Sequence, residues 1–542
     1  VGGVGGKGPK RVEIELEGLA ERLYEVPLAA GNYAALTAND KALFYLSTPA
    51  SFDRKNDLRA LEIKNDGTGI EAKTVMSDVS SYEMSANGKK LLVRKRDSLY
   101  IIDAAASAAS DLEKKAVNLQ GWSLSVVPRM QWRQMFIDSW RLMRDYFYDP
   151  KMHGVNWRAM LDKYLPLVDR VTTRAELNDL IAQMVGELSA LHHFVRGGDQ
   201  REAPDSVAVA ALGAELTRDE AAGGFRISRI YRCEADDPGR VSPLARPDVG
   251  AREGDVIEMI DGVPTLSVPD CGQLLRRKAD RQVLVRIKPR AAQGGDAGAF
   301  GPSRDAIVVP ISQQSEADLR YTDWEYSRRL EVERQGEGKI GYLHLRAMGG
   351  GDYTAWVKGF YPVFAREGLI IDVRHNRGGN IDSWILSKLM RKAWFYWSQR
   401  VGNPPSWNMQ YAFRGHVVVL CNERTASDGE AFAEGFRRLG LGKVIGTRTW
   451  GGEIWLSSSN VLVDRGIASA AETGVWGPEG TWLIEGHGVD PDIVVDNPPH
   501  AAFKGEDPQL KAAIEHLRQL MREKPVAPWN PPPKPDKSFD NK

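Results

Sequence analysis

The sequence predicts a multidomain α/β protein in which two β-rich segments and one helical segment accompany an α/β core. Its 542 residues need several domains, since a domain averages roughly 100–200 residues. Short apolar runs between turn signals come first, apolar residues at helical spacing follow, and strands alternate with helices late in the chain. The predicted segments are 1–122, 123–200, 201–315, 316–505 and 506–542.

Composition and charge argue against several classes of function. Apolar residues make up 42% and charged residues 27%, as in soluble globular proteins. Lys plus Arg and Asp plus Glu both total 72, so we expect neither nucleic acid nor a membrane as a partner. No apolar run reaches the roughly 18 residues of a membrane span. The Gly-rich start without Met favours the interpretation that a longer chain, with any targeting segment, was cut here.

The first segment reads as β-structure. Residues 36–41 recur in pattern at 84–89, 48 positions later, and each copy places a turn before an apolar strand. A period of about 40–50 residues suits the blades of a β-propeller. Two blades cannot close a propeller, so we expect a partial, propeller-like region, with a small β-sandwich as the alternative.

The second segment reads as helical. Pro128 can begin one helix, and Thr173 with Glu176 forms a capping box at the start of another. The apolar stripe of the second helix ends near Leu188. His192 and its neighbour His193 should therefore follow directly after its C-terminus.

The third segment is similar to a PDZ domain. Residues 254–257, followed by 260–262, resemble its strand and turn. Residues 211–216 would then be the loop that presents backbone N–H groups to the carboxylate of a chain end. The alternative is a β-hairpin with an ordinary Asp-Gly turn.

Strands and helices alternate from about residue 338 to 500, which predicts an α/β core. We expect strands at 340–345, 369–373 and 417–420 and helices at 383–392, 429–439 and 507–522.

The clearest candidate nucleophile is Ser427. It lies where a buried strand ends, a polar loop follows and a helix begins. The free N–H groups and positive dipole end of a helix can stabilise a developing oxyanion, and the N–H of Asp428 is the natural first donor. The alternative is that Ser427 only caps the helix.

A Gly-Gly turn supports the catalytic interpretation. Gly378 and Gly379 follow a second apolar strand, and adjacent glycines let backbone N–H groups approach a ligand closely. Ligands of open α/β sheets bind at the carboxyl ends of strands. Either glycine could supply the second oxyanion donor.

A serine nucleophile needs a base, and spacing does not select one. The nine candidates are His153, His192, His193, His344, His375, His416, His487, His500 and His516.

The chain resembles the tricorn proteases across most of its length. A partial β-propeller, a helical segment, a PDZ domain and an α/β core, in this order, match the C-terminal part of those proteins. The resemblance is carried by residues 186–188, 372–380, 425–429, 445–452 and 483–492.

The resemblance implies a role for three residues. Ser427 would be the nucleophile, His192 the general base, and Glu485 the carboxylate that orients the base. The family usually has a serine directly before this histidine, linking it to the glutamate, whereas this chain has Leu191. Either Glu485 reaches His192 directly or through water, or activity is reduced.

The resemblance also implies an activity, which is hydrolysis of short peptides through an acyl-enzyme without metal or cofactor. It implies a homo-oligomer, hexameric in the family, in the cytoplasm; a periplasmic location would fit if an export signal has been lost. The related C-terminal processing peptidases use a Ser–Lys dyad, but the matching stretch, residues 449–452, has no lysine. The alternative is a peptide-binding scaffold with an impaired site.

Overall fold

The chain divides into two compact units, Val1–Val126 and Val127–Lys542. The computed structural model describes residues 15–22, 25–26, 28–50, 55–64, 71–200, 203–291, 300–401, 406–456, 461–528 and 530–539. None of the helices in these ranges combines the length and the apolar character that crossing a membrane requires.

The first unit consists of two antiparallel sheets in which chain neighbours pair. The first has strands β1 Asn32–Ala38, β2 Ala42–Thr48, β3 Asp57–Glu62 and β4 Ala72–Met76, and the second has β5 Ser81–Met84, β6 Lys90–Lys95 and β7 Ser98–Asp103. A short helix, α1 Leu112–Lys115, follows. The two sheets share one apolar core.

The repeated turns of the first unit are joined to each other. Asn39, in the turn between β1 and β2, donates through its side-chain amide to the carbonyl of Gly88, in the turn between β5 and β6, at 2.8 Å. One copy of the repeat precedes β2 and the other precedes β6, so each stands before a strand, as the sequence indicates. Closure into a propeller stays a prediction.

The second unit begins with helices that pack around one apolar cluster. These are α2 Pro128–Tyr146, α3 Trp157–Tyr164 and α4 Arg174–Gly186. Thr173 and Glu176 form the predicted capping box at the start of α4. The helix ends two residues before Leu188, so His192 lies beyond its C-terminus.

A β domain comes next, with the sheet order β10-β11-β12-β14-β15. Strand β12 and the Asp261-Gly262 turn match the predicted strand and turn. Before this domain, β8 Val195–Arg196 pairs with residues 467–468 of the later segment. The strands of the domain are β9 Ala210–Ala211, β10 Ala214–Asp219, β11 Gly224–Ile230, β12 Val256–Ile260, β13 Val263–Pro264, β14 Val283–Lys288, β15 Arg304–Val308 and β16 Ile311–Ser312.

The core is a parallel sheet with the order β17-β18-β21-β22-β26, and the predicted α/β class is confirmed. Its strands are β17 Ile340–His344, β18 Gly368–Asp372, β21 His416–Cys421, β22 Gly442–Gly446 and β26 Ile493–Val494. Short strands outside it are β19 Tyr396–Trp397, β20 Ser406–Trp407, β23 Trp455–Leu456, β24 Ile467–Ala468 and β25 Ala471–Thr473. The helices are α5 Gln313–Gln335, α6 Gly350–Phe360, α7 Asp382–Leu389, α8 Asp428–Arg438, α9 Pro499–Phe503 and α10 Pro508–Glu523.

Helices cover both faces of the parallel sheet. Because side chains alternate along a strand, Ile370 packs with α5 and α10 while its neighbours Leu369 and Ile371 pack with α6, α7 and α8. A strand buried on both faces is apolar throughout, which is why β18 and β21 could be found from sequence. Both strands end at the same edge, and they deliver the Gly-Gly turn and Ser427 there.

A buried ion network fixes the end of β18. The Arg374 guanidinium donates to Asp372 at 2.7 Å and to Asp507 at 2.8 Å, and Tyr342 donates to Asp372 at 2.9 Å. Burial alone would raise the pKa of Asp372, but Arg374 holds that pKa well below its usual value. The network ties the chain just before the Gly-Gly turn to the start of α10.

Replacing Arg374 with Met should destabilise the second unit by about 3–5 kcal/mol, because Asp372 and Asp507 would then be buried without a counter-charge. Urea unfolding of the full chain measures this loss. The matched control is Arg286→Met, which removes an exposed pair with Asp305 and should cost far less, because solvent screens exposed ion pairs. Equal losses in the two variants would contradict the assigned role of the network.

Candidate active site

Ser427 joins the end of strand β21 to helix α8 in an unusual backbone conformation. Its φ is 54° and its ψ is −129°, a region that non-glycine residues rarely adopt and that costs about 1–3 kcal/mol. Among the described residues its hydroxyl makes no cap hydrogen bond to the helix. The simple capping interpretation therefore does not account for the hydroxyl.

A buried carboxylate, Glu430, holds the backbone of Ser427. It accepts from the N–H of Ser427 at 2.9 Å, from the hydroxyl of Thr449 at 2.5 Å, and from the N–H groups of Gly451 and Gly452 at 2.7 and 2.9 Å. Burial raises the pKa of Glu430 and these hydrogen bonds oppose the rise. Glu430 thus attaches residues 449–452 to the start of α8.

Two backbone N–H groups near Ser427 have no hydrogen-bond acceptor among the described residues, those of Asp428 and Gly379. Met348 bonds to the carbonyl of Gly378 and the N–H of Asn380, so the N–H of Gly379 between them points away from Met348. The N–H of Gly378 already donates to the Asn376 side chain at 2.8 Å. Of the two predicted glycine donors, only Gly379 is available.

The Gly-Gly turn lies directly against Ser427. A Cβ atom added at Gly378, whose φ is +78°, would lie 2.5 Å from the Ser427 Cβ and 2.9 Å from its Oγ. A Cβ atom at Gly379 would collide with the carbonyl of Met348. Both positions require glycine, and the turn forms one wall beside the hydroxyl.

The side chain of Asp428 also contributes to the site, in addition to the backbone N–H of this residue. Its carboxylate accepts from the N–H groups of Ile381 and Asp382 at 2.7 and 3.1 Å, which ties the start of α7 to the start of α8. Burial raises its pKa to about 7. The two elements that carry the candidate oxyanion donors are thereby held together.

His192 is a buried imidazole whose tautomer is set by a backbone carbonyl. Its Nδ1 lies 2.6 Å from the oxygen of Ile454, and a carbonyl only accepts, so Nδ1 carries the proton and Nε2 is left as the base. The ring lies edge-on to Trp450, with 5.7 Å between centroids. Burial lowers the pKa of His192, while the Ile454 bond and the charge of Glu485 oppose this.

Trp450 connects the base to the nucleophile loop. The backbone N–H of Trp450 donates to the carbonyl of Thr425 at 3.0 Å, and Thr425 lies two residues before Ser427. Among the described residues no hydrogen bond joins Ser427 and His192, a bond that is often long in enzymes without substrate.

Glu485 supports His192 through the backbone and not by direct contact. One oxygen accepts from the N–H of Leu191 at 2.7 Å. The other accepts from the N–H groups of Glu453 and Ile454 at 2.8 and 3.2 Å. Glu485 therefore fixes the residue before the histidine and the residue whose carbonyl holds its ring. The sequence suggested direct contact or a water bridge between Glu485 and His192. The link through backbone N–H groups is neither of these.

His193, another of the candidate bases, points toward other neighbours. Its ring lies 5.7 Å from that of Phe147, and both ring nitrogens are buried without a partner among the described residues. Burial, followed by the charges of His192 and His153, lowers its pKa to about 4. His193 is thus half-buried against the helical segment, with its ring nitrogens turned inward.

Sequence reasoning missed Glu430, Glu453 and the Ile454 carbonyl. Glu430 carried a usable signal, because Ser-x-x-Glu before a helix is the pattern of a capping box. Glu453 carried none: it is buried beside Glu430 and Asp428, its Oε2 has no partner in the described residues, and burial raises its pKa to about 9.

Three family models match the chain in order. They are the tricorn protease C1 domain at residues 128–186, the tricorn protease PDZ domain at 210–299, and peptidase family S41 at 339–495. The chain is 34% identical to tricorn protease homolog 1 of Streptomyces coelicolor, over 95% of this chain and 48% of that protein. It is 31% identical to the tricorn protease homolog of Saccharolobus solfataricus, over 94% and 46%.

The chain belongs to the tricorn protease family. The crystal structure of the tricorn protease has the same fold, with a TM-score of 0.81 and 26% identity over 95% of this chain and 49% of that one. The chain spans about half the length of the curated relatives it matches. In this tricorn-type chain Ser427 and Glu485 lie in the S41 match, and His192 lies between the C1 and PDZ matches.

His193 should make the fold sensitive to acid. Its folded-state pKa of about 4 lies below the ordinary value of 6.5, so below pH 6.5 the unfolded chain binds a proton that the folded chain does not. Stability should fall by about 3 kcal/mol from this residue between pH 7 and 4. Urea unfolding at both pH values should show a smaller loss in His193→Leu than in the original chain.

The control for this prediction is His500→Leu, because His500 is exposed in α9. It should retain the full loss. The same loss in His193→Leu would mean that the buried imidazole is not responsible.

Proposed function

We propose that this chain is a serine peptidase that hydrolyses peptides through an acyl-enzyme on Ser427. The observation that carries the proposal is the setting of the Ser427 hydroxyl. Ser427 lies directly before Asp428 and against the Gly-Gly turn, in a strained conformation that Glu430 holds. In the part of the chain that the structure describes, the backbone N–H groups of Asp428 and Gly379 have no acceptor. The buried imidazole of His192, with Nε2 unprotonated, supplies a base.

In the proposed reaction the Ser427 Oγ attacks the carbonyl carbon of the scissile peptide, and its proton passes to Nε2 of His192. The N–H groups of Asp428 and Gly379 donate to the oxyanion of the tetrahedral intermediate. His192 then gives the proton to the leaving amine as the C–N bond breaks. Water, activated by the same imidazole, hydrolyses the ester and releases Ser427.

The surroundings of His192 suit both halves of this cycle. The lowered pKa keeps the ring neutral before attack. Once protonated, the imidazolium is stabilised by the Ile454 carbonyl at Nδ1 and by the negative charge of Glu485. A carboxylate that orients a base need not touch it if it fixes the backbone on both sides.

Short peptides are the proposed substrates, and a homo-oligomer, hexameric as expected from the resemblance, is the proposed assembly. Light scattering of the purified chain tests the assembly, and a monomer would contradict it. The cytoplasmic location stays a prediction; fractionation of the source cells checks it.

The function is tested by digesting a mixed library of short peptides and reading the products by mass spectrometry. The original chain should cleave and Ser427→Ala should not, although both should unfold at similar temperatures. Cleavage by both proteins would exclude Ser427 as the nucleophile. Cleavage by neither would favour the peptide-binding scaffold.

Replacing Gly378 with Ala should lower kcat by about 100-fold or more, because the new methyl group displaces Ser427 and small misplacements of reacting atoms are costly. The matched control is Gly440→Ala. Gly440 also has a positive φ, +65°, but nothing lies within 4 Å of an added Cβ. Gly378→Ala should lose more stability than the control because of its clash with Ser427, but both variants should stay folded at the assay temperature, and only Gly378→Ala should lose turnover. Equal kcat values would show that the turn does not position the nucleophile.

A further inference from the structure

The predicted carboxylate-binding loop of the PDZ domain already holds a carboxylate. The N–H of Gly213, where φ is +73°, donates to Oε1 of Glu316 at 3.2 Å. The N–H groups of Gly213 and Ala214 act against burial, which raises the pKa of Glu316. A side chain of the same molecule thus occupies the place of a peptide's terminal carboxylate.

The strand that follows the loop is also contacted by other parts of the chain. Strand β10, which begins after the loop, is an edge strand of the described sheet, and an edge is where a peptide adds in PDZ-type recognition. Arg218 on this strand donates to the carbonyls of Leu266 and Val268. Both ends of β10 therefore contact other parts of the protein.

Glu316 is held firmly because helix α5 is fixed to the PDZ domain over several turns. Arg320 donates to the Tyr231 hydroxyl at 3.0 Å. Asp323 is buried and accepts from the N–H of Arg232 at 3.1 Å, and it also pairs with Arg229. Farther along, Val332 packs into the core of the parallel sheet. These contacts keep the backbone of Glu316 beside the loop.

We propose that Glu316 is an internal ligand of the PDZ loop and that it excludes the terminal carboxylate of peptides. A tethered ligand acts at an effective concentration of about millimolar, so a free peptide end must compete with it. Electrostatic repulsion strengthens the exclusion, because the terminal carboxylate of a peptide would have to approach the carboxylate of Glu316. The inference concerns this loop alone and does not rest on the proposed peptidase activity.

Fluorescence anisotropy tests the inference on full-length chains carrying Ser427→Ala, which keeps the probe intact. The probes are two fluorescein-labelled mixtures of random octapeptides that differ only in a free or an amidated C-terminus. Chains with Glu316 should bind both mixtures alike. Glu316→Ala should bind the free-carboxylate mixture at least about tenfold more tightly than the amide.

Two further variants serve as controls for this experiment. Asp318→Ala removes an exposed carboxylate from the same helix and should behave like the chain with Glu316. Glu316→Gln keeps the shape but loses the charge, so it should give an intermediate preference even if Glu316→Ala folds poorly. A preference for the free carboxylate with Glu316 present, or no preference in either Glu316 variant, would overturn the proposal.

Discussion

A single buried carboxylate, Glu430, determines how the candidate site is assembled. A buried charge must be matched by hydrogen bonds, and Glu430 obtains four donors from two separate segments, one carrying Ser427 and the other carrying residues 449–452. Satisfying this one group draws the second segment against the nucleophile. That segment then presents Trp450 to the ring of His192 and continues to Ile454, whose carbonyl fixes the ring.

The site concentrates acidic groups, and their different hydrogen bonding separates their charge states. Glu430 accepts three backbone N–H groups, which oppose the rise that burial causes in its pKa. Glu453 is buried, its Oε2 has no partner among the residues that the structure describes, and burial raises its pKa to about 9. Its carboxyl is therefore neutral near pH 7, which avoids placing a further negative charge beside Glu430 and Asp428.

Local patterns predicted much of the fold because the forces behind them are local. A buried parallel strand is apolar, so β18 and β21 were visible, and Thr173 with Glu176 marked the start of α4. The Gly-Gly turn was singled out because glycines let backbone N–H groups approach a ligand, and the structure adds that a Cβ atom at Gly378 would collide with Ser427. The choice of His192 came from the resemblance and not from spacing, because its bond to Ile454 joins residues 262 positions apart. No local pattern indicates such a contact. The bond from the Gly378 N–H to Asn376 is local by contrast, an Asx turn across two residues, and it carried a signal that was missed.

Leucine at position 191 shows that the link between Glu485 and the segment of His192 does not need a polar side chain at that position. Leu191 cannot donate through its side chain, yet its backbone N–H bonds to Glu485 at 2.7 Å across 294 positions. Every residue except proline has such a donor, so this link does not depend on which side chain stands there. The same carboxylate also holds the Ile454 N–H, and the carbonyl of Ile454 holds Nδ1 of His192. Orientation of the base therefore passes through main-chain groups, which lets position 191 carry leucine while the imidazole keeps a defined tautomer.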